Sequence, residues 1–288
     1  MILVAGATGN LGSAITRMLL AQGKEVRILV RPQSNYQPLV QAGAQPVFGD
    51  LKDRASLDPA CAGVDTVITT ANTALRGGED NVETVDLEGN RNLIDAAKRA
   101  AVKHFIFVSA LIADPDSPVP FLQAKGKTEQ YLRASELPYT ILAPDAFMEA
   151  WVSMVVGMPA RNGLPVTVIG QNKRLHSFIS AADVAAYAIA AVDDPAAMNQ
   201  RLVLGGPRPL SWDDLVAAYE KELGHPVVLN KLNIGEQVPG LPEEMNAILT
   251  SFDLFDSVVD MKQLSNTFGV TPTTVEEFIK REVPAGKH

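Results

Sequence analysis

Ile2-Leu3-Val4-Ala5-Gly6-Ala7-Thr8-Gly9-Asn10-Leu11-Gly12 opens the chain and decides its fold. Ile2 to Ala5 is an apolar run that reads as a buried strand. Gly6, Gly9 and Gly12 form a G-x-x-G-x-x-G turn, and Leu11, Ile15, Met18 and Leu19 then fall near helical spacing. Strand, glycine turn and helix together are the context that a dinucleotide fingerprint requires. The glycines let the backbone turn tightly and approach a pyrophosphate, and the new helix points its unpaired N–H groups at that anion. On this reading Gly6, Thr8, Gly9, Asn10, Leu11 and Gly12 touch the ligand; the competing reading is a plain strand-to-helix turn.

Composition narrows what surrounds this turn. The 288 residues include 25 basic and 33 acidic side chains, a net charge of −8, which argues against nucleic acid or an anionic membrane as main partner. Hydrophobic residues at 47% and aromatics at 6% suit an ordinary globular protein with one large α/β core and a smaller appendage. The single cysteine, Cys61, permits no intrachain disulfide and reads as a small packed residue rather than a nucleophile. With no basic leader before the first strand and no apolar run near the ~20 residues of a membrane span, a cytoplasmic protein is expected.

Further on, strand and helix alternate. The second strand, Glu25 to Val30, ends at Arg31. NAD sites commonly place an acid about 20 residues past the glycines, on the ribose hydroxyls. Arg31 stands there instead, and its guanidinium suits a 2′-phosphate, hence NADP(H), although a solvated surface arginine would read the same way. A third strand, Pro46 to Phe48, leads into Gly49-Asp50-Leu51, and a fourth, Thr66 to Thr70, into Ala71-Asn72. Small residues at Thr70, Ala71 and Asn72 allow a ligand to lie across the sheet edge. A mobile loop is expected over 73–80, then one long helix from Val82 to Ala101. The fifth strand, His104 to Val108, ends at Ser109, and a helix from about Pro120 carries Phe121, Lys125 and Glu129.

The glycine spacing resembles the extended and atypical branches of the short-chain dehydrogenase/reductase superfamily. That resemblance implies that Asp50 accepts from the adenine amino group while Leu51 flanks the ring, and that Ser109 bonds a substrate carbonyl. It also implies a Tyr-x-x-x-Lys pair, whose spacing puts both side chains on one helix face. Lys125 fits the Lys, but Phe121 occupies the Tyr position and cannot donate a proton. This absence, with Val102-Lys103-His104-Phe105-Ile106-Phe107-Val108-Ser109 and Pro138-Tyr139-Thr140-Ile141-Leu142-Ala143-Pro144-Asp145-Ala146-Phe147-Met148, resembles the NmrA-like group from residue 1 to about 205. The group includes redox sensors that regulate transcription, NADPH-dependent quinone reductases and triphenylmethane-dye reductases. The resemblance adds Lys125, Pro144 and Phe147 to the cofactor contacts; Ala143 departs from it, since an Arg is common there.

Beyond residue 146 a Met-rich apolar stretch to 163 reads as core or as pocket lining. Strands are expected at Val166 to Ile169, His176 to Ile179, Arg201 to Leu204 and Val227 to Leu229. Ser180 and Asp183 read as a capping-box-like helix start, and His176 as a strand residue more than a catalytic acid. The expected fold is a doubly wound parallel (Rossmann) sheet formed by 1–145 with 176–205. A smaller α/β substrate domain is expected from 146–175 with 206–288. Two functions follow. One is an NADPH-dependent oxidoreductase passing hydride to a quinone or similar apolar or aromatic small molecule, with Lys125 and Ser109 at the chemistry. The other is a non-catalytic dinucleotide sensor acting through a protein partner. A sugar-nucleotide epimerase is disfavoured by Phe121.

Overall fold

The structure, a computed structural model, describes residues 1–73 and 80–283. Residues 74–79 of the loop expected at 73–80, and the tail 284–288, lie outside the described residues.

Strand β1 (Ile2–Ala5) leads into α1 (Asn10–Ala21), then β2 (Val26–Val30), α2 (Gln37–Gln41), β3 (Gln45–Phe48), α3 (Arg54–Cys61) and β4 (Thr66–Thr69). A π-helical segment (Val82–Leu87) runs directly into α4 (Glu88–Arg99), followed by β5 (His104–Val108), α5 (Pro120–Ala134) and β6 (Tyr139–Pro144). A second π-helical segment (Met148–Gly157) precedes α6 (Met158–Arg161), β7 (Val166–Ile169), α7 (Ala181–Asp193), a 3₁₀ turn (Pro195–Ala197) and β8 (Gln200–Leu204). The chain closes with α8 (Trp212–Leu223), β9 (Leu229–Leu232), α9 (Glu243–Ser251), α10 (Lys262–Phe268) and α11 (Val275–Glu282).

Seven strands form one sheet in the order β3-β2-β1-β4-β5-β6-β8, the doubly wound arrangement expected from the alternation of elements. Every residue of β1, β4 and β5 is buried, as befits central parallel strands covered by helices on both faces. The edges read differently: β3 is mostly exposed and contains Pro46, which lacks the donor that an inner strand needs. The order of winding reverses between β1 and β4, which pair in register from Ile2↔Thr66 to Ala5↔Thr69. Ligands of open α/β sheets bind at such a reversal, outside the carboxyl ends of the strands.

The helix expected as one piece from Val82 to Ala101 is two. An Asn81–Thr84 capping box starts a wide turn, and the α-helix begins only at Glu88. Asp86 explains the break. Its carbonyl accepts from Asn90 Nδ2 at 2.9 Å and Thr128 Oγ1 at 3.3 Å, while its carboxylate accepts from Thr73 N–H at 2.9 Å. Side chains inserted into the backbone ladder in this way widen a turn.

By packing, the chain divides into two units. The first comprises Met1–Ala143, Val184–Val203 and Thr267–Val270, the second Pro144–Asp183, Leu204–Asn266 and the chain from Thr271 onward. Relative to the expected division, 176–183 goes with the second unit. His176 is not in a continuous strand; it makes isolated bridges to Leu210 and Ser257, and Ile179 makes one to Phe147. The core of the second unit is built from Met148, Trp151, Val152, Val155 and Val156 with Phe178, Trp212, Tyr219 and Phe252. The apolar residues of the Met-rich stretch are thus mostly core, while Met158 and residues 161–163 are exposed. A two-stranded parallel sheet, β7 with β9, completes this unit; the strand expected at Val227 to Leu229 starts two residues later. Ser180 does cap α7, accepting from Asp183 N–H at 3.1 Å, but the Asp183 carboxylate goes to Thr273 instead of returning to the cap.

Candidate dinucleotide and proton-transfer site

The first-unit site begins at the glycine turn. Gly6 has φ +78°, a conformation that favours glycine, and a Cβ there would stand 2.7 Å from Thr70 Oγ1 and 2.8 Å from Ala71 N. Gly12 is held tighter still: a Cβ would lie 2.2 Å from the Gly6 carbonyl oxygen. Gly9 differs, since its Cβ would meet only the Gly6 oxygen, at 3.4 Å. Gly9 is also the N-cap of α1, and no side chain caps that helix end. The first-turn N–H groups therefore keep their donors for another partner. Thr8 and Leu11 are half-buried and Asn10 is exposed beside them. Thr70 and Ala71, both 8% exposed, close the floor, and Asn72 Nδ2 donates to Thr70 O at 3.2 Å. A turn with positive φ at Gly6, open space at Gly9 and a bare helix end fit a pyrophosphate.

Register carries the second part of the site to the same edge. Ala5 pairs with Leu29, and Val30 with Phe48, so Arg31 and Asp50 emerge beside the glycine turn. No acid neighbours Arg31 in sequence, yet Arg31 Nη1 donates to Asp80 Oδ2 at 2.6 Å and stands 3.8 Å from Asp50 Oδ2. Lys52 Nζ donates to Asp80 Oδ1, also at 2.6 Å. Hydrogen bonding from Lys52, then from Arg31, holds the Asp80 carboxyl below the usual carboxylate range. Asp50 Oδ1 accepts from Lys52 N–H at 2.9 Å, a turn-forming bond, and Leu51 packs in the first-unit core.

Lys125 and Ser109 form the third part. Lys125 is 2% exposed. Its Nζ donates to Val108 O at 3.0 Å and lies 4.9 Å and 5.5 Å from the ring centroids of Phe107 and Phe121. Burial pulls its pKa below the ordinary lysine range, opposed by the negative charges of Asp86 and Glu129. The aromatic ring in the Tyr position therefore stabilises the ammonium through its π face instead of donating a proton. Ser109 spends its one hydroxyl proton on Glu129 Oε1, at 2.6 Å. Buried Glu129 also accepts from Arg133 Nη2 at 2.8 Å and from Arg201 Nε at 3.0 Å. Arg201 Nη2 in turn donates to the carbonyls of Ala110 and Leu111, both at 2.9 Å. Donation by Ser109 to a substrate carbonyl would require it to leave Glu129. This network was missed in the sequence, although Lys125, Glu129 and Arg133 recur every fourth residue on one helix face.

Pro144 is buried at the end of β6 and Phe147 is half-buried; both belong to the second unit. His176 has both ring nitrogens engaged, Nδ1 with Ser257 Oγ at 2.7 Å and Nε2 with Phe252 O at 2.8 Å, so it is structural. Burial pushes the Cys61 thiol up to about 11, which marks a packed cysteine and not a nucleophile. Among the described residues no cluster of metal-ligating side chains occurs, and no helix is long and apolar enough to cross a membrane.

Sheet, reversal point and glycine turn define a Rossmann-type protein. The NmrA-like family model matches residues 1–280, and the chain belongs to that family. The match extends well past residue 205, where the sequence resemblance loosened. An NAD(P)H azoreductase of Xenophilus azovorans is 33% identical over 227 residues, covering 79% of this chain and 75% of that protein. Photosystem II assembly factor Ycf39 of Trieres chinensis is 29% identical over 231 residues, covering 80% and 72%. The crystal structure of an NADPH-dependent quinone oxidoreductase from Escherichia coli, complexed with NADPH, superposes with a TM-score of 0.80 at 25% identity, covering 99% of this chain and all of that one.

Proposed function

We propose that the protein is an NADPH-dependent reductase that delivers hydride to a quinone, an azo compound or another conjugated small molecule. The observation that carries this reading is the bare, glycine-capped N-terminus of α1 at the sheet's reversal point, with a buried lysine at the end of β5. The first-turn N–H groups of α1 would hold the pyrophosphate, Arg31 the 2′-phosphate, Asp50 and Leu51 the adenine, and Thr70 to Asn72 the strand edge. When bound, NADPH supplies the hydride. The net reaction takes acceptor, NADPH and one proton to reduced acceptor and NADP⁺. Lys125 has two of its ammonium hydrogens beyond the Val108 bond and a lowered pKa, which suits it to hold the ribose or to release a proton. A conjugated acceptor yields a stabilised anion that water protonates, so holding is the role assigned to Lys125. The second unit is assigned to the acceptor.

A second reading, a dinucleotide-binding factor that acts through a protein partner, draws support from the Ycf39 relatives. Purified protein incubated with NADPH and a panel of quinones and azo dyes separates the two. Steady NADPH oxidation supports the reductase. Tight NADPH binding without oxidation by any acceptor supports the factor.

A further inference from the structure

We infer that Asp80 is a resident competitor for the 2′-phosphate of NADPH, and that Lys52 is a second cation, with Arg31, that reads that phosphate. The inference rests on the NADPH reading above and assigns the specificity of its adenosine end.

The geometry is that of an anion held between two cations. Each oxygen of the Asp80 carboxylate takes a different partner at 2.6 Å, Arg31 through Oδ2 and Lys52 through Oδ1. A phosphate offers more charge and three acceptor oxygens, so it satisfies the same two donors with one oxygen to spare. The cations stand where a 2′-phosphate would be read, just beyond β2 and β3 and on the edge that carries the glycine turn. Arg31 and Lys52 keep 27% and 32% of their side chains open to solvent while Asp80 keeps 12%, so the cations are approachable from outside. With Asp50 3.8 Å from Arg31, the four side chains sum to no formal charge. An arriving phosphate therefore gains the full attraction of both cations only as the Asp80 carboxylate leaves them. Asp80 directly precedes Asn81, whose cap on Thr84 fixes the backbone there, so rotation of the side chain alone releases the site. A cofactor without the phosphate leaves the carboxylate in place. Asp80 thus narrows the gap between NADPH and NADH that Arg31 and Lys52 would otherwise open.

The test compares adenosine 2′,5′-bisphosphate with 5′-AMP, which differ only in the 2′-phosphate, by calorimetric titration of the full chain. Asp80→Asn should raise affinity for the bisphosphate relative to 5′-AMP by about two- to thirtyfold, the range that two exposed ion pairs supply. That gain should shrink with added salt. Lys52→Met should lower the same ratio by about 1.5- to fivefold, the range of one exposed ion pair. A ratio that falls or stays fixed in Asp80→Asn overturns the inference, because Asp80 then orients the cations or is remote from the phosphate. A ratio unchanged in Lys52→Met overturns it as well. If both nucleotides bind the wild type and Asp80→Asn does not part them, the dinucleotide reading stands and the inference fails. If neither nucleotide binds, both fail.

Discussion

Gly9 and Gly12 lie three residues apart in one turn, and alanine should affect them in opposite ways. At Gly12 an added Cβ would lie 2.2 Å from Gly6 O, 2.8 Å from Gly6 C and 2.9 Å from Ala7 Cα, all of them backbone atoms that cannot rotate aside. Overpacking of this kind costs about 1–3 kcal/mol. At about 2–4 °C per kcal/mol for a large domain, Gly12→Ala should melt about 2–12 °C below the wild type. At Gly9 the backbone is extended, with φ −79° and ψ 169°, and the one neighbour is at 3.4 Å. The entropy lost from the unfolded chain and the weaker N-cap should nearly cancel, leaving stability within about 1 kcal/mol. Its methyl group would instead stand where the pyrophosphate must approach, and NADPH affinity should fall about tenfold or more. Thermal melts by circular dichroism and NADPH titrations on both variants make the comparison. Unchanged NADPH affinity in a folded Gly9→Ala protein would show that the anion site is elsewhere. Equal melting of Gly12→Ala and wild type would show that the turn is looser than the structure has it.

Three further outcomes are expected. Arg31→Ala should weaken NADPH by up to about 1.5–3 kcal/mol, the range of a hydrogen bond to a charged group, with a much smaller effect on NADH; equal losses would exclude a phosphate-reading role. Lys125→Met should raise the apparent constant for NADPH and leave maximal turnover nearly intact if Lys125 only holds the ribose, whereas a fall in turnover of about 10²–10⁴-fold at unaltered NADPH affinity would make it the proton donor. Lys125 also carries a pH signature. Its folded pKa is depressed below its unfolded value, so the unfolded chain binds the proton more tightly and the penalty on the native state is largest at low pH. Stability from this group should therefore rise as pH climbs from the depressed pKa toward about 10.4, the unfolded value. Urea unfolding across that window should show the rise in wild type and its loss in Lys125→Met; identical pH slopes would count against a depressed lysine.

Some of this was legible in sequence because it is written in local pattern. The run Ile2 to Ala5, the glycine turn and the spacing after it yield β1, the turn and α1 within a residue. The alternation of apolar runs and helices yields the doubly wound sheet. What was not legible depends on residues distant in the chain. Asp80 reaches Arg31 across 49 positions and Lys52 across 28, so a guanidinium that reads as unopposed is paired in the fold. Ser109 stands where the resemblance places it, at the end of β5, but Glu129 and Arg201 decide what its hydroxyl does. The π-helical start of the fourth long helix comes from Thr73 and Thr128 holding Asp86, contacts to which helical periodicity is blind. The Met-rich stretch of 146–163 has the composition of a pocket wall and of a core alike, and packing against Trp212 and Phe252 makes it mostly core.

The reductase assignment is tested most directly by a single turnover. The protein is loaded with one equivalent of NADPH, mixed rapidly with excess of a soluble quinone, and followed by the absorbance of the reduced nicotinamide while the quinol is quantified. A reductase should show complete loss of that absorbance with one quinol formed per NADPH consumed, faster than in the same mixture without protein. Absorbance that persists at the protein-free rate, with NADPH still bound and no quinol formed with this or any other conjugated acceptor, would contradict the assignment.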